Sequence, residues 1–123
     1  MKKNIMLSIQ PEYVEKIVNG NKKYEYRKQI AKQEINKIII YESYPIKKIV
    51  AEATVEETIV LPKEELWNKT KDFSGITKEY YDSYFRNRKI AYAYKLGKVE
   101  VYDKPKQLKD FGLNYAPQSF VYV

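Results

Sequence analysis

The stretch that decides the fold is Gly20-Asn21-Lys22-Lys23-Tyr24-Glu25-Tyr26-Arg27. It follows residues 11–19, in which apolar residues recur at helical spacing. From Lys22 to Lys28, tyrosines then alternate with charged residues, and this period of two is typical of a strand. The stretch therefore predicts a helix that ends near Gly20 and a strand that begins directly after it.

This corner also carries the densest group of polar side chains. Strand geometry places Glu25 and Arg27 roughly 6.6–7 Å apart on one face. Lys22 is out of phase with them, so from the turn it can swing over that face as a mobile positive charge. The flanking cations favour the ionised carboxylate, and the trio could bind a planar, hydrogen-bonding ligand. The alternative is a solvated strand face with ion pairs worth about 0–1 kcal/mol each.

The rest of the chain alternates between strand and helix patterns. Period-two segments predict strands at 3–9, 49–55 and 90–96, and β-branched runs predict further strands. The first half of the chain is predicted as strand 3–9, helix 11–19 and strands 22–28, 38–41 and 49–55. The second half is predicted as a helix from Pro62, a helix capped by Thr77, strands 90–96 and 99–102 joined by a turn at Gly97, a helical turn at 108–111 and a strand at 120–123. This order predicts a single β-rich α+β domain over residues 1–123, arranged as a small, partly closed barrel.

Composition excludes several classes of chemistry. The 123 residues contain no cysteine and no histidine, which excludes disulfides, zinc fingers, cysteine nucleophiles and Ser-His-Asp triads. Glu52, Glu56 and Glu57 are too few oxygen donors for a hard cation, so we expect neither a metal nor a cofactor. The apolar stretch Ile5 to Ile9 is too short for a signal peptide or a membrane span, and cytoplasmic residence is expected.

The net charge of +7 is unevenly distributed. Residues 1–50 hold 11 basic and 5 acidic side chains, and a local excess of this kind can attract a polyanion. Lysine accounts for 20 of the 23 basic residues, which an AT-rich genome would also produce. The thirteen tyrosines could likewise stack on bases or simply pack at the edge of the core. Helical spacing assigns Tyr80, Tyr81 and Tyr84 to packing.

The spacing Gly20, Lys22, Glu25 and Arg27 reads G-x-K-x-x-E-x-R and resembles the signature of the ASCH domain family. This family belongs to the PUA-like superfamily, and the resemblance is to its short stand-alone bacterial and archaeal members. Residues 7–13, 41–45 and 117–120 extend the resemblance over nearly the whole chain. It implies a PUA-like pseudo-barrel of mixed strands with two to three flanking helices.

The resemblance also implies a function. PUA-like domains mostly bind RNA, so the family implies an RNA- or nucleotide-binding module that holds a base or modified nucleoside in a cleft. Partners in translation or transcription are also implied. Beside Lys22, Glu25 and Arg27, the ligand-binding residues implied in this way are Ser8, Ser43 and Gln118.

Two other functions remain open. One ASCH branch is an amidohydrolase acting on acetylcytidine, in which a threonine nucleophile stands where this chain has Glu25, beside a lysine that matches Lys22. If the protein is an enzyme, Lys22 and Glu25 are its candidate catalytic residues, although the threonine is missing. The third possibility is an adaptor that binds another protein.

Overall fold

The structure is a computed structural model that describes residues 1–123. Its elements follow the predicted order closely, and none of its helices has the length and apolarity that crossing a membrane requires. They are β1 Lys3–Ile9, α1 Pro11–Val18, β2 Tyr24–Arg27, β3 Ile35–Glu42, β4 Lys48–Pro62, α2 Lys63–Thr70, a 3-10 turn Lys71–Phe73, α3 Lys78–Tyr84, β5 Ile90–Lys106, a second 3-10 turn Leu108–Phe111 and β6 Val121–Tyr122.

The six strands form one mixed sheet in the order β2-β5-β4-β3-β1-β6. Only β1 and β3 run parallel, and their register places Ile5 opposite Ile38. The other pairs are antiparallel. A mixed sheet with three helices confirms the predicted β-rich α+β class. The hydrogen-bonded order ends at β2 and β6, and closure into a pseudo-barrel stays a prediction.

The main core lies between α1 and one face of the sheet. Val14 and Ile17 of α1 are buried against apolar residues of β1, β3, β4 and β5. Ala51 and Ala53 contribute from β4, and the alternating 49–55 segment is indeed buried at every second position. Because α1 directly precedes the corner at residues 20–23, this packing fixes the corner against the sheet.

A second core holds α2 and α3 against β2 and the N-terminal half of β5. Tyr81 and Phe85 are fully buried, and both rings meet Tyr26 of β2 edge to face. Such aromatic pairs contribute about 0.5–1.5 kcal/mol beyond the area they bury. Thr77 caps α3 as predicted, since its hydroxyl accepts from the Tyr80 backbone N–H at 3.1 Å. The result is that α3 stands beside the Glu25–Arg27 face.

The predicted turn at Gly97 is wrong. β5 runs without interruption from Ile90 to Lys106, and its ladder with β4 shifts register on both sides of Val55. A Cβ atom at residue 97 would lie 2.5 Å from the Thr54 hydroxyl oxygen and 2.9 Å from a Glu56 side-chain carbon. Gly97 therefore allows β4 and β5 to approach each other closely. Besides bends and bulges, such close approach is a common reason for a glycine inside a strand.

Candidate functional site

A cleft of about 160 Å³ opens where the start of α1, the strand β2 and the helix α3 meet. Eleven residues from separate parts of the chain line it, namely Ser8, Ile9, Gln10, Tyr13, Lys22, Glu25, Tyr26, Arg27, Ile76, Tyr80 and Tyr84. An engineered protein cavity of about 150 Å³ holds one benzene molecule. The cleft is therefore large enough to admit a single aromatic ring.

Glu25 and Arg27 form the polar wall of the cleft. The guanidinium of Arg27 donates to Glu25 Oε2 from Nε at 3.0 Å and from Nη2 at 2.8 Å. Nη2 also donates to the backbone oxygen of Ser8 at 2.9 Å, which ties β2 to the end of β1. Both hydrogen bonds to the carboxylate fall on Oε2, so Oε1 accepts none within the protein. Glu25 is only 8% exposed, and its free oxygen is left for a ligand in the cleft.

Lys22 is buried and fixed, contrary to the predicted mobile charge. The residue is 3% exposed, and its ammonium donates to the Ser74 backbone oxygen at 2.6 Å. Its Nζ atom also lies 4.9 Å from the ring centroid of Tyr26 and 5.6 Å from that of Tyr13, within cation–π range. Burial lowers the pKa of Lys22, Glu25 opposes that shift, and Lys16 and Arg27 add to it.

Gly75 makes room for this lysine. A Cβ atom at Gly75 would lie 2.6, 2.7 and 2.8 Å from Cβ, Cγ and Cδ of Lys22, so only glycine permits the lysine stem to pass. The nearby Lys16 ammonium donates to the Gly75 backbone oxygen at 3.1 Å. Lys16 of α1 and Lys22 of the following corner thus both fasten the segment that precedes α3.

Three tyrosines, Tyr13, Tyr80 and Tyr84, form an aromatic wall of the cleft. The rings of Tyr13 and Tyr80 are 5.9 Å apart, and those of Tyr80 and Tyr84 are 6.3 Å apart and nearly parallel, at 16°. Burial and the neighbouring Tyr80 raise the pKa of Tyr13 to about 12, so its hydroxyl stays protonated at neutral pH. The cleft therefore combines flat apolar surface with one free carboxylate oxygen and two fixed cations.

The family model for the ASCH domain matches residues 7–100, the part of the chain that supplies every cleft residue. The chain belongs to the ASCH domain family. The crystal structure of ASCH from Zymomonas mobilis is similar with a TM-score of 0.90 at 25% identity, covering 98% of this chain and 87% of that one. A mutant of the Zymomonas protein has the same TM-score at 24% identity, with 99% and 91% covered.

The chain also matches curated proteins that differ in name and in length. An ASCH domain-containing ribonuclease of Zymomonas mobilis is 27% identical over 120 residues, which are 94% of this chain and 80% of that protein. An ATP synthase subunit alpha of Ureaplasma parvum is 33% identical over 99% of this chain. A large ribosomal subunit protein uL22 of the same species is 26% identical over 97%. The chain spans only 15% and 39% of the lengths of these two proteins.

The ASCH cleft gathers four of the six predicted ligand-binding residues. Lys22, Glu25, Arg27 and Ser8 all line it, although the Ser8 hydroxyl already donates to the Pro117 backbone oxygen at 2.7 Å. Ser43 and Gln118 do not line it. Ser43 uses its backbone N–H to bond Ile9 at the strand end, and Gln118 only follows the residue that accepts from Ser8.

Sequence reasoning missed the aromatic wall. Helical spacing predicts that Tyr80 and Tyr84 pack with Tyr81. Tyr84 does pack against the second core, but both it and the exposed Tyr80 also line the cleft. Helix α3 carries two adjacent i,i+4 aromatic pairs, 80/84 and 81/85, and a helix of this size can turn only one of them towards the core. The presence of two such pairs on one short helix was the sequence signal that one pair would remain outside the core. Tyr13 gave none, because a single tyrosine on an amphipathic helix is ordinary.

The acidic residues weighed as metal ligands lie apart from the cleft lining. Glu52 accepts from Lys37 at 2.6 Å and from the Tyr102 hydroxyl at 2.9 Å, and Glu56 pairs with Lys95. The hydrogen bond from Lys37 is the largest cause of a lowered pKa of Glu52, and the hydrogen bond from Tyr102 adds to it. No group of three or more potential metal-ligating side chains comes together.

Proposed function

We propose that this ASCH domain binds single-stranded RNA and takes one unpaired base into the cleft. The observation that carries the proposal is the pairing of an aromatic wall with a fixed carboxylate and guanidinium in one hollow. Proteins read single-stranded RNA by stacking bases on aromatic rings and bonding their polar edges. The cleft offers both contacts at the scale of one ring.

The charged wall suits a base better than a sugar or phosphate alone. The free Oε1 of Glu25 can accept from a ring N–H or an exocyclic amine, and Arg27 is held rigid by its three hydrogen bonds. A base that lacked a donor at this point would leave Oε1 of the nearly buried Glu25 carboxylate without a hydrogen-bond partner, which disfavours binding.

The comparisons and the charge support RNA as the polymer. The Zymomonas relative is named a ribonuclease. The net charge of +7 favours binding of a polyanion whatever the polyanion's sequence, and phosphate contacts make such binding sensitive to salt.

Fluorescence anisotropy with a labelled ten-nucleotide RNA of mixed sequence tests the proposal. Tyr80→Ala removes a stacking surface worth about 1–3 kcal/mol per base, so affinity should fall roughly 5- to 150-fold. Tyr115→Ala is the matched control, because Tyr115 is 82% exposed and does not line the cleft. Glu25→Gln should weaken binding as well, whereas Glu56→Gln on the outer sheet face should not. Wild-type protein that binds no RNA in low salt would overturn the proposal and favour a protein-binding adaptor.

Hydrolysis of RNA is the second candidate function. The environment of Lys22 is the observation that favours it. A buried lysine with a lowered pKa inside a cleft is the kind of group that serves as a general base. In its neutral form, the Lys22 amine would accept the proton of a ribose 2′-hydroxyl as that oxygen attacks the neighbouring phosphate. The bond from phosphorus to the 5′-oxygen of the next nucleotide then breaks, that oxygen takes up a proton, and a 2′,3′-cyclic phosphate remains, without a metal.

Incubation of the RNA with protein in EDTA, followed by gel electrophoresis, separates this candidate from binding alone. Cleavage products ending in a cyclic phosphate, formed by wild type and lost in Lys22→Met, would support catalysis. A parallel arm with acetylcytidine tests deacetylation by the same lysine with Glu25. Intact substrates in both arms would leave RNA binding as the function.

A further inference from the structure

A group of four cations lies immediately beside the cleft and has no role in the site described so far. Lys28, Arg86, Arg88 and Lys89 are all exposed, and we call them the basic track. No acidic side chain lies within 4.0 Å of any of them. In a chain with 16 acidic residues, four neighbouring unpaired cations form a site of positive potential.

The basic track is continuous with the cleft wall. Lys28 directly follows Arg27, and its Nζ lies 4.8 Å from the ring centroid of Tyr84, a cleft residue. Arg88 Nη1 donates to the Lys28 backbone oxygen at 3.3 Å, which holds the turn between α3 and β5 against the end of β2. A ligand that leaves the cleft past Tyr84 therefore meets the track at once.

The distribution of arginine distinguishes this surface from the general lysine excess. The chain has only three arginines among 23 basic residues, and all three lie here, one in the cleft and two in the track. A lysine-rich composition does not explain why the arginines gather at one place. The planar guanidinium group binds phosphate oxygens in a two-point geometry that an ammonium group cannot provide.

We propose that the basic track binds the phosphate backbone of the RNA strand next to the base held in the cleft. The inference rests on the proposed function and adds the path of the strand, which runs from Arg27 past Tyr84 to Arg86. RNA is favoured over an acidic protein surface because the track continues a cleft sized for one ring. Each phosphate contact to a single strand contributes about −0.7 to the slope of log affinity against log salt.

Salt titrations of RNA affinity test this inference. Four contacts alone predict that affinity falls about 50-fold between 50 and 200 mM salt, and the double variant Arg86→Gln/Arg88→Gln should reduce that fall to about sevenfold. Arg86→Gln alone is included because the Arg86 side chain makes no hydrogen bond or ion pair, so its replacement cannot disturb the fold. The control is Lys104→Gln/Lys109→Gln, which removes two exposed cations, one near the C-terminal end of β5 and one in the second 3-10 turn, and should leave the slope unchanged.

The outcomes separate the track from the cleft. Tyr80→Ala should weaken binding at every salt concentration without changing the slope, because stacking releases no counterions. If the arginine variants keep the wild-type slope while Tyr80→Ala weakens binding, the basic track does not bind phosphates and the proposed function stands. If the lysine control variant reduces the slope as much as the arginine variants do, the positive charge acts diffusely and the basic track is not a specific phosphate site. Absence of RNA binding by wild type would overturn both.

Discussion

Replacement of Gly75 by alanine should destabilise the protein far more than the same change at another left-handed glycine. At Gly75 φ is +70°, and the new Cβ would overlap three carbon atoms of the buried Lys22 stem at 2.6–2.8 Å. The backbone strain costs about 1–2 kcal/mol. Forcing extra volume into a packed site adds about 1–3 kcal/mol. The expected loss is therefore about 2–5 kcal/mol.

Gly112→Ala provides the matched control. Its φ of +72° is nearly identical, but no atom outside its chain neighbours lies within 4 Å of the added Cβ. Only the backbone strain of about 1–2 kcal/mol applies there. Urea denaturation followed by circular dichroism measures both variants, and a domain of this size loses roughly 4 °C of melting temperature per kcal/mol.

A second substitution checks the cause of the loss. In Lys22→Ala the Cγ and Cδ atoms are absent, which removes two of the three overlaps, so Gly75→Ala should cost less in that background than in wild type. Equal free energies of unfolding for Gly75→Ala and Gly112→Ala would refute the reasoning, because Lys22 could not then lie against Gly75.

Three further changes test other contacts. Burial lowers the pKa of Lys22 below its usual 10.5, so between the lowered value and 10.5 the unfolded wild-type chain binds more protons than the folded one, and the stability of the wild type increases with pH there. Lys22→Met should abolish this increase, which urea midpoints from pH 7 to 10 would show. Parallel stability curves for the two proteins would contradict the reasoning. Gly97→Ala should cost about 1–3 kcal/mol because of Thr54, and an unchanged melting temperature would count against the close strand approach. Tyr26→Phe removes the buried 2.6 Å hydrogen bond to Thr70 and should cost about 1–2 kcal/mol in urea denaturation, with exposed Tyr115→Phe as the silent control.

Much of the fold was predictable because its signals are local. The helix that ends at Gly20 and the strand that follows were visible as a change of period from about 3.6 to 2, and the alternation at 49–55 marked a strand with one buried face. Gly97 shows where local reading fails. A glycine between two strand patterns looks the same whether it forms a turn or admits a neighbouring strand, and only the partner residue Thr54 decides between them.

The site was predictable in its charges and not in its aromatic wall. Glu25 and Arg27 are two residues apart on one strand, so their pairing follows from the pleat. Tyr80 and Tyr84 reach the cleft only because Tyr81 and Phe85 bury the other side of α3 against Tyr26, a contact between elements more than fifty residues apart. The fixed position of Lys22 depends in the same way on Ser74 and Gly75, which no pattern near residue 22 reveals.

The burial of Lys22 is difficult to explain by stability alone. Transfer of an ammonium group out of water costs free energy, and the hydrogen bond to Ser74 with two tyrosine rings recovers only part of it, which is why the pKa of Lys22 is lowered. A methionine of similar shape could fill the same space beside Gly75 without that cost. The fold thus tolerates a charge that packing does not need, at the point where Glu25 and Arg27 meet the cleft. We therefore expect Lys22→Met to keep or raise stability at neutral pH while it weakens RNA binding, whereas a purely structural lysine would lose both together.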